Sequence, residues 1–168
     1  MDDRGKEIAL AANELLEGVS IREIQPEDVS LVQDFFDCMG KESRSVFNRR
    51  DYNQKGVLRF CAHPDPTRRY WMAELEEKMA GYVFFLDWNT SIPALGIAVR
   101  DEWQGMGLGK RLLLFALEMA KDEGKGGIQL TTHVANLRAQ VLYESVGFSC
   151  MGSCKNGTEL FYLFRYRE

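Results

Sequence analysis

Cysteine and histidine are scarce here: four of one and two of the other among 168 residues. Cys38, Cys61, Cys150 and Cys154 form no Cys-x-x-Cys pair, and with only His63 and His133 beside them no metal-ligand set of recognised spacing can be assembled. No metal site is expected, and a disulfide-dense scaffold is excluded. The thiols are expected to be free and reduced in an intracellular protein. Long apolar runs are also missing, because Asn13 and Glu14 interrupt Ile8 to Ala12 before a secretory core could form. Neither a leader nor a membrane span is expected. Positive charge is not in excess: 21 Lys+Arg against 25 Asp+Glu give −4. That balance lacks the general electrostatic footprint of a nucleic-acid binder. Neither nucleic acid nor membrane is an expected partner, and the expected location is the cytoplasm.

At 45% hydrophobic and 27% charged, the chain has an ordinary globular composition. No repeat, low-complexity tract or linker divides it. Residues 5–17 read as a short amphipathic helix that Gly18 can end, so residues 1–18 are expected to form an extension to a domain over 19–168. Its hydrophobic residues offer a surface for a homodimer. Ser20 to Ile24 suits a strand, and Pro26-Glu27-Asp28 opens a helix carrying Val29, Val32, Phe35 and Phe36. Residues 41–69 have weak periodicity, with helix pieces expected near 51–61 and a loop at Pro64 and Pro66. The apolar runs at 70–74 and 81–86 flank the charged turn Glu76-Glu77-Lys78 and predict a hairpin. A strand at 94–100 follows, then a helix from Leu108 to about Gly124 with Leu112, Phe115, Ala116 and Met119 on its apolar side. A strand at 128–134, a helix at 136–146 stopped by Gly147, and a hairpin about Asn156-Gly157 complete the order. The fold class is α+β: a mixed, mostly antiparallel central sheet flanked by helices. The strand-helix-strand unit near 94–134 implies a parallel pair.

Between that strand and helix lies Trp103-Gln-Gly-Met-Gly-Leu-Gly-Lys110. Alternating glycines let the main chain take unusual dihedrals and let a ligand approach closely, while the first helical turn presents unpaired N–H groups. Such a turn binds anions. It is not a Walker loop, since Gly105 lies four residues before Gly109 and Arg111 stands where a hydroxyl is needed. Nor is it a dinucleotide fingerprint, which requires a glycine where Leu108 or Lys110 stands.

Gln104-x-x-Gly107-x-Gly109 does fit the acyl-CoA pyrophosphate loop, Gln/Arg-x-x-Gly-x-Gly/Ala, of the GNAT family of N-acetyltransferases. Downstream, Asn136-x-x-Ala139-x-x-Leu142-Tyr143-Glu144-x-x-Gly147-Phe148 extends the likeness. The chain resembles that family over roughly residues 20–166. The resemblance implies a splayed parallel strand pair at the cofactor cleft and acetyl-CoA as co-substrate. It places the backbone of Ile97 and Val99 against pantetheine amides, much as an added strand pairs. It wraps Gln104 to Lys110 around the pyrophosphate, with N–H groups of Gly105, Gly107, Leu108 and Gly109 as donors and Lys110 adding charge. By resemblance Asn136 contacts the cofactor, although its position also fits a helix N-cap, and a capping side chain can do both. Tyr143 lies seven residues on, within roughly 20° of the same helical face. By resemblance it is the catalytic acid for the departing sulfur, although its position also suits a packed aromatic.

The implied reaction is direct attack of a neutral amine on the thioester, with a small molecule or peptide as acceptor. The alternative is a non-catalytic CoA-binding sensor or interaction module of the same fold. Cys150 and Cys154 fall in the final hairpin, where buried small hydrophobes are commoner than nucleophiles. The strand at 94–99 holds no carboxylate, so Glu74 and His133 on neighbouring strands are candidate bases. Five cations, Lys41, Arg44, Arg49, Arg50 and Lys55, face two anions over 41–55. That local reversal of charge suggests steering of an acidic acceptor.

Overall fold

The computed structural model describes residues 16–47 and 54–167. The expected helix over 5–17 lies outside the described residues except for Leu16 and Glu17, which are helical ahead of a turn at Gly18. Seven strands follow: β1 (Ser20–Glu23), β2 (Arg69–Leu75), β3 (Lys78–Leu86), β4 (Ala94–Val99), β5 (Gly127–His133), β6 (Ser149–Cys154) and β7 (Glu159–Arg165). The helices are α1 (Val29–Asp37), α2 (Lys41–Phe47), α3 (Gln54–Ala62), α4 (Leu108–Asp122) and α5 (Leu137–Ser145). One sheet contains all the strands in the order β1-β2-β3-β4-β5-β7-β6, antiparallel except for β4 with β5. This is the expected α+β class.

Both faces of the sheet are covered, and the alternation along β3 shows how. Val83 and Phe85 point to the face where Leu112, Leu113 and Ala116 of α4 pack, while Tyr82 and Phe84 point to the face where Val32 and Phe35 of α1 and Val57 of α3 pack. A strand buried on both faces needs a near-continuous apolar run, which Met79 to Leu86 supplies. Pro26–Asp28 forms a single 3-10 turn before α1. Asp28 closes it by accepting the Gln25 N–H at 2.7 Å and both terminal nitrogens of Arg22 at 2.7 and 2.8 Å.

Three local readings need correction. The helix expected near 51–61 is present as α3, but the weakly periodic stretch ahead of it also holds α2, which depends on contacts distant in sequence: Asp101 accepts the Gly40 N–H at 2.7 Å and the Ser43 hydroxyl at 2.5 Å. The β2–β3 connection is the pair Glu76-Glu77 alone, both left-handed with φ of 52° and 58°, the twist a two-residue hairpin needs. The buried stripe of α4 includes Leu108, Leu113, Leu117 and Ala120 besides Leu112 and Ala116, while Phe115 and Met119 are only partly buried at its margin. Covering a sheet requires a wider stripe than one line of residues.

Candidate active site

The parallel pair begins at Ala94 opposite Gln129. Gln129 fastens that end, donating from its backbone N–H to Pro93 O at 3.1 Å and from Nε2 to Ile92 O at 2.9 Å. Beyond this rung the strands part, and a cleft of about 860 Å³ opens toward their carboxyl ends. Residues Leu95 to Val99 line one wall and Thr131 to His133 the other, with the glycine turn and α5 completing the opening. The carboxyl edge of a parallel pair is where α/β sheets place ligands, because the strands end there and the following helices begin.

Nine of the ten expected site residues line this cleft: Ile97, Val99, Gln104, Gly105, Gly107, Gly109, Lys110, Asn136 and Tyr143. The tenth, Leu108, turns its side chain into the core at 1% exposure, which leaves only its backbone N–H for the turn. Gly105 and Gly107 have φ of 77° and 92°, conformations that a side chain strains. The α4 ladder starts with Arg111 N–H to Gly107 O at 3.1 Å. The N–H groups of Leu108, Gly109 and Lys110 therefore precede it. Gly109 has a packing reason as well: a Cβ there would lie 3.3 Å from Leu142 and 3.7 Å from Val99.

Gln104 braces the turn. Its Nε2 is within hydrogen-bond distance of Val99 O (3.0 Å), Asp101 Oδ1 (3.1 Å) and Ser43 Oγ (3.3 Å), and its Oε1 accepts from Arg138 Nη1 at 2.7 Å. One carboxamide thus ties the end of β4 to α2 and α5. Asn136 caps α5, its Oδ1 accepting the Ala139 N–H at 3.3 Å. Tyr143 is 7% exposed, its ring 5.8 Å from that of Tyr162 and 5.9 Å from that of Phe148. The Tyr162 hydroxyl donates to Glu144 at 2.9 Å and so anchors α5 to β7. Burial, helped by that carboxylate, pushes the Tyr162 phenol well above its ordinary range.

The candidate bases separate. Glu74 does not line the cleft; Arg22 Nε donates to it at 2.9 Å on β2. His133 lines the cleft, but its Nδ1 accepts the Ala135 N–H at 3.1 Å. In the neutral ring that bond engages the lone pair a base would use. The carboxylate that sequence reasoning missed is Glu159, 6% exposed, facing the cleft as the cross-strand partner of His133 and paired with Lys155 at 2.6 Å. It follows a turn, where inward and outward positions could not be told apart. Arg138, also missed, sits at a position that the Asn136-x-x-Ala139 motif leaves open.

Arg44, one of the five cations of the basic segment, caps α1 instead of facing an acceptor, donating to Met39 O at 2.8 Å and Phe36 O at 2.7 Å. Arg49 and Arg50 lie outside the described residues. The residues of α2 that line the cleft are Glu42, Ser43 and Ser45. Cys150 is exposed and Cys154 half-buried, contrary to expectation, because β6 is the outer strand. The buried cysteine is Cys61, whose thiol burial pushes up. Among the described residues no cluster of three potential metal ligands occurs, and no helix is long and apolar enough to cross a membrane.

Residues 30–148 match the model of the acetyltransferase (GNAT) family. Human N-acetyltransferase 8B is 33% identical over 89 residues, covering 49% of this chain and 39% of that protein. A putative ribosomal protein bS18-alanine N-acetyltransferase of Bacillus subtilis (strain 168) is 29% identical over 92 residues, covering 55% of this chain and 61% of that one. The matched region thus spans 39% to 61% of these relatives' length. Among solved structures, the PaiA N-acetyltransferase of Thermoplasma acidophilum in complex with coenzyme A superposes with a TM-score of 0.72 at 18% identity, over 88% of this chain and 99% of that one. A spermidine N-acetyltransferase chimera from Vibrio cholerae gives 0.71 at 18% identity, over 88% and 95%. The fold is that of acetyltransferases with a splayed parallel pair. This chain belongs to the acetyltransferase (GNAT) family.

Proposed function

We propose that the chain transfers an acetyl group from acetyl-CoA directly to a primary amine on a small molecule or peptide, and that residues 19–168 are the catalytic unit. The observation carrying this reading is the cleft between β4 and β5, which has the glycine turn at one end and Tyr143 in its wall. Acetyl-CoA supplies an activated thioester. The N–H groups of Gly105, Gly107, Leu108 and Gly109 would hold its pyrophosphate, as left-handed glycines and a helix start favour, and Lys110 adds charge. Backbone groups of Ile97 and Val99, with the NH₂ of Asn136, would hold the pantetheine amides. A cleft of this size suits an extended, largely buried ligand.

Tyr143 Oη would hydrogen-bond the leaving sulfur. Phenols near ~10 and thiols near ~8.5 leave full proton transfer weakly driven, so stabilising charge as it develops matters as much as protonation. The attacking amine must lose a proton, and the carboxylate facing the cleft from β7 is Glu159.

The test is thiol release from acetyl-CoA across a panel of spermidine, a peptide with N-terminal alanine and a lysine peptide. Amine-dependent thiol release with an acetylated product is expected. Acetyl-CoA binding without turnover on a broadened amine panel would replace the enzyme by a CoA-binding module, and absence of binding would overturn both.

A further inference from the structure

Arg138 occupies the first turn of α5, two residues after the Asn136 cap. A cation there is placed against the helix dipole, which favours negative charge at an N-terminus. No carboxylate compensates: among the described residues its hydrogen bond is to a neutral group, Gln104 Oε1, at 2.7 Å. That bond carries the guanidinium across the cleft onto the glycine turn, where Nη2 would lie 3.6 Å from a Cβ on Gly105. The nearby carboxylate of Asp101 is engaged elsewhere, accepting from Gly40, Ser43 and Gln104. Lys110 lines the same cleft.

We propose that Arg138 is a pyrophosphate-binding residue, with its guanidinium leaving Gln104 Oε1 for a phosphate oxygen when CoA enters. This rests on the acetyltransferase reading above. The exchange is favourable in kind, because a charged acceptor replaces a neutral one and the planar fork of arginine matches two phosphate oxygens. Gln104 remains in place through the acceptors around its Nε2. The pyrophosphate is favoured over the 3′-phosphate because the guanidinium lies against Gly105, in the same glycine turn that lines the cleft and whose N–H groups would hold the pyrophosphate. An anion held by those amides lies within its reach. The unfavourable charge at the start of α5 thereby acquires a partner in the bound state.

Arg138→Gln removes the charge and keeps an amide able to reach Gln104; Arg138→Lys keeps the charge and removes the fork. Calorimetry with CoA and with dephospho-CoA, each at low and high salt, separates the possibilities. Arg138→Gln is expected to weaken both ligands equally, by roughly ten- to a hundredfold, and to flatten the salt dependence of binding. Arg138→Lys is expected to fall between the variant and the parent. Thermal melting checks that both variants are folded. Undiminished binding in Arg138→Gln overturns the assignment, as does a loss confined to the ligand bearing the 3′-phosphate. Gly107→Glu serves as the reference: if it abolishes CoA binding while Arg138→Gln does not, Arg138 alone was misassigned. Wild-type protein that fails to bind CoA overturns the acetyltransferase reading itself.

Discussion

The ring of Phe84 fills the space a side chain on Gly96 would occupy: a Cβ there would lie 2.1 Å from Phe84 Cζ. The two residues are direct cross-strand partners on β3 and β4. Phe84 in turn stacks between Tyr82 and Tyr70, with ring centroids 5.5 and 5.3 Å away. Both Phe84 and Gly96 line the cleft, so the absence of a side chain at 96 lets an aromatic ring form part of its floor.

Gly96→Ala is therefore expected to cost about 1–3 kcal/mol, the range for overpacking a filled site. Phe84→Leu in the same chain should recover part of that loss, since the competing ring is gone. Urea unfolding of the single and double variants checks the coupling. Additive effects would show that the ring moves aside freely.

Gly107→Glu places a side chain and a negative charge in a turn whose φ is 92°. Acetyl-CoA affinity should collapse while the fold persists. Gly107→Ala is the control: it shares the backbone strain, about 1 kcal/mol, without the charge. Calorimetry on both variants distinguishes strain from repulsion, and intact binding in folded Gly107→Glu would remove the turn from the cofactor site.

Tyr143→Phe retains the ring that packs on Tyr162 and Phe148 and removes the hydroxyl alone. A proton donor at this position predicts a fall in kcat of about 10²-fold or more, with little change in melting temperature. Wild-type turnover in the variant would make Tyr143 a packing residue.

Asp28 gives a dependence on pH. The hydrogen bonds from Arg22 hold its carboxyl below the usual range against the opposing effect of burial, and the Gln25 N–H assists. A lowered folded-state value means the unfolded chain binds more protons as pH falls, so the stabilisation is present above about pH 4 and is lost through the folded-state value below it. Asp28→Asn should be less stable than the parent at pH 7 by about 1–2 kcal/mol, with the gap closing toward pH 3. Parallel thermal melts at the two pH values test this, and a gap that stays constant would show that the pair is uncharged in its effect.

What could be read without coordinates was local in its causes. Gly105 and Gly107 announced a turn with left-handed backbone because their effect is on their own dihedrals, and Asn136 announced a helix start because a cap acts three residues away. In the basic segment a count of charges gives no direction: the donors of Arg44 serve the Phe36 and Met39 carbonyls at the end of α1, while Arg49 and Arg50 lie outside the described residues. Lys-Glu-Ser-Arg-Ser at the start of α2 offers almost no apolar period, so the helix could not be seen without Asp101, some sixty residues away.

The sequence by itself determined the order of strands and helices apart from α2, the positions of the glycine turn and capped helix, and the family to which those motifs belong, since each depends on residues a few positions apart. Tertiary structure decided which side chains share the cleft. The parting of β4 from β5 after Ala94, the arrival of Glu159 opposite His133 and the reach of Arg138 to Gln104 all join segments far apart in the chain. Their proximity follows from strand register and from how helices settle on a twisted sheet, and both are set by packing across the whole domain rather than by any local run of residues.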